Sequence, residues 1–146
     1  MLASFTRGTI RFLDRVLPKG RDRNMPEHHR VGRRGEEEAY FYLRKRGYVM
    51  VARNYRSARR RGEIDPVGWD RDVLCFVEVK TRTSREVKPA EAAVDREKRR
   101  ELGGMARDYL RRVRDEVEWR FDVVSIYYET GKPPDIELFK NAFPVS

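Results

Sequence analysis

Cysteine and histidine are scarce in this chain, and their scarcity excludes two kinds of site. Cys75 is the only cysteine, so no disulfide can form within the chain, and the only histidines are the adjacent pair His28 and His29. A structural zinc site takes about four Cys or His ligands, so this composition excludes one. Cys75 lies inside an apolar stretch, and we expect it to be a small core residue.

Long apolar runs are also absent. The sequence has no stretch of about 18 apolar residues, so no helix that spans a bilayer is expected. Charged side chains at Arg7, Arg11 and Asp14 interrupt the apolar residues near the N-terminus, which argues against a secretory signal peptide. We therefore expect a cytoplasmic protein without a membrane span.

Basic side chains outnumber acidic ones. Lys and Arg total 33 and Asp and Glu total 24, which gives a formal net charge of +9. Charged residues make up 39% of the chain, compared with about 25% in typical globular domains. The excess of arginine, whose planar guanidinium suits phosphate, favours a nucleic-acid partner. The alternative is a basic surface that serves only solubility.

The spacing of apolar residues predicts one small α/β domain. Residues 18–34 have the composition of a linker, and we place the boundary at residue 32. Residues 1–31 then form a basic N-terminal extension and linker, and residues 32–146 form the domain. The periodicity predicts two helices and four or five strands packed as one sheet flanked by helices. The predicted ranges, in chain order, are 36–46 (helix), 48–55, 63–69 and 73–80 (strands), 90–113 (helix), and 120–128 and 136–143 (strands).

Three local features modify this prediction. Pro66 cannot donate a hydrogen bond to a neighbouring strand, so we expect the second strand to lie at an edge or to bend. Gly103 and Gly104 weaken the second helix and are expected to split or kink it. Asp122 lies among apolar residues of the fourth strand, where an acid needs a cation, and we expect a structural salt link to Lys98 or an arginine.

An acid and a lysine follow the apolar run of the central strand. Alternate residues of a strand share a face, so Glu78 and Lys80 are expected to point the same way. Asp65, on the preceding strand, is expected to bring a second carboxylate. Two carboxylates can hold Mg²⁺ or Mn²⁺, and a lysine beside a bound water favours its deprotonated form, which is the chemistry of phosphodiester hydrolysis. The alternative is a solvated strand end with an ion pair worth ~0–1 kcal/mol.

Glu36 is a third candidate ligand. It lies three residues before Ala39 and seven before Leu43, so it shares the inward face of the first helix. An inward acid is costly unless it is paired or bound to a metal. The alternative is an ordinary acid near a helix start, where it stabilises the helix dipole by ~0.3–1 kcal/mol. Glu63 is expected to point the same way as Asp65 and is a candidate supporting group.

Phosphate contacts are expected from an arginine-rich loop and from the second helix. The predicted nucleic-acid-binding residues are Arg56, Arg59, Arg60, Arg61 and Lys98. The alternative for this group is a solvated surface with ion pairs one helical turn apart.

Six short motifs occur in an order that resembles a known family. They are Gly32-x-x-Gly35-Glu36-x-x-Ala39, Arg53-Asn54-Tyr55-Arg56, Gly62-Glu63-Ile64-Asp65, Phe76-Val77-Glu78-Val79-Lys80-Thr81-Arg82, Glu91-Ala92-x-x-Asp95-x-x-Lys98 and Arg120-Phe121-Asp122-Val123-Val124. Together they resemble the YraN-like family of small bacterial proteins. That family is similar to restriction-endonuclease-like nucleases with a PD-(D/E)xK site and to archaeal Holliday-junction resolvases.

The resemblance implies an α/β, restriction-endonuclease-like fold with a central mixed β-sheet flanked by helices. It implies that Asp65, Glu78 and Lys80 match the aspartate, second acid and lysine of the site. It also implies that Glu36 matches the acid that related resolvases carry on their first helix. Pro66 departs from the family pattern, which has an apolar residue there, and leaves the direction of Asp65 open.

The function that follows from the resemblance is a nuclease that uses Mg²⁺ or Mn²⁺ to cut DNA, with branched or otherwise structured DNA as the substrate class. A homodimer is compatible with this function, because resolvase-like enzymes cut two strands as symmetric pairs. The alternative is a non-catalytic nucleic-acid-binding module on the same fold.

Overall fold

A computed structural model describes residues 26–83, 94–113 and 115–144, without the side chain of His28. Residues 1–25 of the predicted extension and the first residues of the predicted second helix, 90–93, lie outside these ranges. The division of the chain at residue 32 stays a prediction.

Two helices and five strands make up the described part of the chain. In chain order they are α1 (Glu27–Lys45), β1 (Val49–Ala52), β2 (Val67–Asp70), β3 (Val73–Arg82), α2 (Arg96–Leu110), β4 (Glu118–Tyr127) and β5 (Asp135–Phe143). The strands form one sheet in the order β1-β2-β3-β4-β5. β3 and β4 are parallel, and the other neighbours are antiparallel. This mixed sheet flanked by two helices confirms the predicted α/β fold class and is consistent with a restriction-endonuclease-like fold.

The two helices cover opposite faces of the sheet. Alternate side chains of β3 point to these two faces and pack in separate cores. Cys75 and Val77 are buried in one core with Leu43 of α1. Phe76 is buried in the other core with Met105 of α2. β3 is therefore buried on both faces over this stretch, as its continuous apolar run predicts.

α1 begins at Glu27, well before the predicted start at residue 36. The linker prediction is therefore wrong for residues 27–34. This segment is mostly polar and exposed, so it carries almost no apolar period from which a helix could be recognised. The predicted C-terminal end of this helix is confirmed. Gly47 follows the helix with a φ of 92°, a conformation that favours glycine.

β2 lies between β1 and β3, so the first of the two alternatives predicted for this strand, an edge position, is wrong, and the regular strand begins only after Pro66. Pro66 lies immediately before the strand, where its missing N–H removes no hydrogen bond from the sheet. Its carbonyl accepts a hydrogen bond from the Val77 N–H at 3.0 Å. β1 and β2 are both shorter than predicted, and between them Tyr55 and Ile64 form an isolated antiparallel bridge.

α2 runs without a break through Gly103 and Gly104, so the predicted split is wrong. Both glycines are buried, and a Cβ at Gly104 would collide with the guanidinium of Arg60. Gly104 therefore allows the loop that carries Arg60 to lie directly against the helix.

The predicted salt link of Asp122 is confirmed, with Arg120 rather than Lys98 as its cation. Asp122 is fully buried. Its carboxylate accepts hydrogen bonds from Arg120 Nε at 2.8 Å, from Tyr48 Oη at 2.9 Å and from the Asn141 N–H at 2.9 Å. These bonds satisfy the buried charge, so Asp122 is a structural residue.

α1 lies close against the sheet at Gly35. A Cβ at this position would overlap Thr81 Cγ2, in the second half of β3. Glu36 is the next residue along the helix. The close approach at Gly35 therefore brings Glu36 to the end of β3.

We expect Gly35→Ala to destabilise the protein by about 1–3 kcal/mol, because the added methyl group forces α1 away from Thr81. Gly32→Ala is the matched control, since it lies on the same helix with nothing within 4 Å of the added Cβ. The control should be neutral or stabilising by up to ~1 kcal/mol. Urea unfolding measures both values. Equal effects of the two substitutions would contradict the close contact.

Candidate functional site

The candidate site lies where β3 continues beyond β2. β3 pairs with β4 from Val73 to Arg82 but with β2 only from Val73 to Phe76. The bond from the Val77 N–H to the Pro66 carbonyl extends the shorter ladder by one residue. Asp65 precedes Pro66 and Glu78 follows Val77, so these two residues flank the point where the ladder ends.

Glu78 and Lys80 point the same way, as alternation along the strand predicts. Lys80 Nζ lies 3.4 Å from Glu78 Oε1, and the two side chains are 31% and 13% exposed. The alternative prediction was an exposed ion pair at a solvated strand end. The observed pair is partly buried and is therefore less screened by solvent.

Asp65 is buried with an unpaired carboxylate. The residue is 7% exposed, and neither Oδ1 nor Oδ2 has a hydrogen-bond partner among the described residues. Burial raises the pKa of Asp65 to about 6, while the positive charge of Arg53, the backbone N–H of Asn54 and the Glu36 carboxyl group oppose the rise. A carboxylate buried without a close hydrogen-bond donor is costly when ionised, so this side chain is suited to bind a cation.

Glu36 faces inward from α1, as its helical spacing predicts, and is half-buried. Burial, together with repulsion from Asp65 and Glu63, raises the pKa of Glu36 to about 7. Three carboxylates are therefore close enough to disfavour one another's charge. Near neutral pH Glu36 and, to a smaller extent, Asp65 retain protons that isolated carboxyl groups would have lost.

The four predicted catalytic residues fall into two pairs. Glu36 interacts with Asp65, and Glu78 interacts with Lys80. Within residues 26–83, 94–113 and 115–144, no group of three His, Cys, Asp or Glu residues is placed to hold a metal ion. A shared metal shell of Glu36, Asp65 and Glu78 therefore stays a prediction.

The donor chemistry nevertheless fits a hard divalent cation. Mg²⁺ prefers oxygen ligands and keeps several of its own waters, so one or two protein carboxylates suffice to bind it. The unpaired oxygens of Asp65 are such ligands. Glu36 is electrostatically coupled to Asp65, so it is placed to add a second carboxylate. Glu78, which follows the residue bonded to Pro66, is the other candidate.

Arg53 belongs to this site, and sequence reasoning missed it. Its Cζ lies 4.3 Å from the centroid of the Tyr40 ring. Its Nε is buried and has no hydrogen-bond partner among the described residues. Its charge lowers the pKa of Asp65 against the effect of burial. The available signal was its position directly after the apolar strand β1, but many arginines nearby gave no reason to single it out.

The predicted phosphate-binding residues differ in their availability. Arg56 pairs with Glu63 at 3.0 Å, and Arg60 pairs with Asp108 at 3.2 Å. The exposed side chains of Arg59 and Arg61 have no partner in the described part of the chain. Lys98 likewise has no side-chain partner there, and its backbone N–H donates to the capping carboxylate of Asp95 at 2.8 Å.

No helix within the described ranges has both the length and the apolar character needed to cross a membrane.

Comparison with known proteins assigns the chain to a family. A family model described as "Uncharacterised protein family UPF0102" matches residues 35–126, which include Glu36, Asp65, Glu78 and Lys80. The chain belongs to this family. UPF0102 is the YraN family, so the resemblance inferred from the motifs is confirmed.

Relatives match nearly the whole UPF0102 chain. A UPF0102 protein of Koribacter versatilis is 49% identical over 142 residues, covering 97% of this chain and 96% of the relative. One of Solibacter usitatus is 48% identical over 137 residues, covering 92% and 99%. One of Porphyromonas gingivalis is 41% identical over 122 residues, covering 83% and 89%.

We expect Asp65→Asn to stabilise the metal-free protein at high pH. The folded-state pKa of about 6 exceeds the ordinary value, so folding favours the protonated acid, and this stability is lost as pH rises through 6. The variant should be more stable by on the order of 2 kcal/mol at about pH 8 and similar to the parent near pH 4.

Urea unfolding in EDTA across this pH range measures the effect. Asp72→Asn is the control, because Asp72 is an exposed acid in the turn before β3 and its substitution should give no such trend. A constant difference between Asp65→Asn and the parent at every pH would contradict the buried, unpaired carboxylate.

Proposed function

We propose that this UPF0102 protein is a metal-dependent nuclease that hydrolyses phosphodiester bonds in DNA, with branched or structured DNA as its substrate class. The observation that carries the proposal is the buried carboxylate of Asp65, without a hydrogen-bond partner among the described residues, at the end of the ladder between β2 and β3, from which the ion pair of Glu78 and Lys80 continues along β3. Removing a carboxylate from water without a donor is unfavourable for folding, and a cation-binding role accounts for its retention.

The proposed roles follow from charge and position. Asp65 and Glu78, with Glu36, would hold Mg²⁺ or Mn²⁺. The bound ion would supply Lewis-acid stabilisation of phosphoryl oxygens and lower the pKa of a coordinated water. Lys80 would orient the attacking water and favour its ionised form. Lys80 and Arg53 also reduce the repulsion between the carboxylates and an incoming phosphate.

The substrate side of the proposal rests on the basic surface of the protein. DNA binding is dominated by phosphate contacts to lysine and arginine. The net charge of +9 and the exposed Arg59 and Arg61, in the loop that precedes Asp65, would provide such contacts. A homodimer, in which two copies each cut one strand, belongs to the same proposal.

Cleavage assays test the enzyme directly. The protein should cut linear, four-way-junction or single-stranded DNA in Mg²⁺ or Mn²⁺ and not in EDTA. Glu78→Gln and Lys80→Met should each lower the rate by at least about 100-fold, because each removes a group that acts on the metal or the water. Glu86→Gln is the matched control, since Glu86-Val87-Lys88 repeats the Glu-Val-Lys string of the site.

The outcomes separate the two functional classes. Glu86→Gln should cut at the parental rate. A non-catalytic nucleic-acid-binding module is the alternative, since the same basic surface would serve it. Salt-sensitive binding without cleavage of any DNA or RNA tested, in either metal, would establish this alternative and refute the nuclease.

Mn²⁺ affinity should rise with pH. Carboxyl groups must lose their protons to bind a metal, and the pKa values are about 7 for Glu36 and about 6 for Asp65. Titrations followed by the EPR signal of free Mn²⁺ at about pH 5.5, 6.5 and 7.5 should therefore give progressively tighter binding. Asp65→Asn should abolish most of it. Mn²⁺ affinity that is unchanged in Asp65→Asn would refute the proposed ligand.

A further inference from the structure

The loop of residues 56–62, here called the arginine loop, is fastened to α2 through Asp108. Ser57 Oγ donates a hydrogen bond to Asp108 Oδ2 at 2.5 Å, and Arg60 Nε donates to the same oxygen at 3.2 Å. Arg111 Nη1 lies 3.8 Å from Asp108 Oδ1. The Asp108 side chain is only 9% exposed, so these partners neutralise a largely shielded acid and hold the middle of the loop in place.

Shape complementarity adds to this attachment. The guanidinium of Arg60 occupies the space that a side chain at Gly104 would fill. At the end of the loop, Gly62 has a φ of 95° and lies against Met105. At its start, Arg56 donates from Nε and Nη2 to Glu63 Oε2 at 3.1 and 3.0 Å. The loop is therefore anchored at both ends and in the middle.

These contacts divide the four arginines of the loop into two classes. Arg56 and Arg60 are engaged with carboxylates of the protein itself. Arg59 and Arg61 are exposed and have no partner in the described part of the chain. An anchored loop presents such side chains at little further cost in backbone entropy, which favours binding.

Lys98 lies on the side of α2 that faces the arginine loop. It is three residues before Glu101 and seven before Met105, and both of these residues lie near Gly62. This spacing places the three side chains on one stripe of the helix. The ammonium of Lys98 has no partner among the described residues, so its charge is available on the same side of α2 as the loop.

We infer that Arg59 and Arg61, with Lys98 beside them, form a surface that binds the phosphate backbone of nucleic acid, whereas Arg56 and Arg60 anchor the loop. The inference rests on the nucleic-acid partner of the proposed function but not on cleavage. Arg61 is four residues from Asp65, so their Cα atoms are at most about 14 Å apart. One strand of DNA rises about 3.4 Å per nucleotide, so this surface would contact phosphates within about four nucleotides of the one at the carboxylates.

The test is the salt dependence of binding in EDTA, where metal-dependent cleavage cannot occur. Arg59→Ala/Arg61→Ala should make the slope of log K against log salt shallower by about 2, for duplex or four-way-junction DNA. At about 0.1 M salt its affinity should fall by roughly 50-fold, because each phosphate contact contributes about eightfold there relative to 1 M salt.

Lys45→Ala/Arg71→Ala is the matched control. It removes two exposed positive charges, one at the end of α1 and one in the turn before β3, both remote from the end of β3. Its slope should stay within about 0.5 of the parental value. Arg56→Met/Arg60→Met should also keep the parental slope, but its melting temperature should fall by several degrees, since the anchors of the loop are lost.

Each outcome decides the inference. A parental slope in Arg59→Ala/Arg61→Ala, or an equal loss in either comparison variant, would overturn it. No salt-dependent binding by the parent would also overturn it. The inference would also be overturned if the protein bound phosphatidylglycerol vesicles through Arg59 and Arg61 and did not bind nucleic acid. Binding with the expected slopes but no cleavage in Mg²⁺ would overturn only the nuclease proposal.

Discussion

The candidate site lies where β3 has a neighbouring strand on one side only. β4 accompanies β3 for its full length, whereas β2 pairs with it only up to Phe76. The second half of β3 therefore has a strand on one side and an irregular segment on the other. Side chains there are supported by a rigid sheet and yet are not enclosed by a neighbouring strand. Glu78 and Lys80 occupy this stretch, and α1 reaches it through its close approach at Gly35.

Two buried aspartates, Asp122 and Asp65, differ in their hydrogen-bond partners. Asp122 is surrounded by donors from Arg120, Tyr48 and the backbone of Asn141, and its charge is satisfied within the fold. Asp65 has no hydrogen-bond partner for either oxygen among the described residues. The first arrangement is that of a structural salt link, and the second leaves oxygens available for a ligand. Burial alone does not separate these roles, because the available partners decide whether the charge is satisfied.

Much of the fold and part of the site could be predicted from local patterns. The apolar run of β3 and the alternation of Glu78 and Lys80 are short-range features, and each appears in the structure as expected. The predictions based on single residues with special backbone properties were less reliable. Pro66 is compatible with an interior strand because it precedes β2 and joins the ladder only through its carbonyl, and Gly104 lies within an unbroken helix because it accommodates Arg60. In both cases a contact from a distant segment outweighed the local preference.

The sequence by itself determined which segments form the helices and strands, the basic charge, the family, and the acid and lysine that follow the apolar run of the central strand. These properties depend on composition and on spacing along one element. Only the tertiary structure decided that the Asp65 carboxylate has no hydrogen-bond partner among the described residues and that the charge of Arg53 lowers its pKa. It also decided which arginines form ion pairs with carboxylates of the protein. Those properties depend on which side chains from separate segments share a small volume. In that volume burial and neighbouring charges set the pKa of each group, and neither can be read from the order of residues.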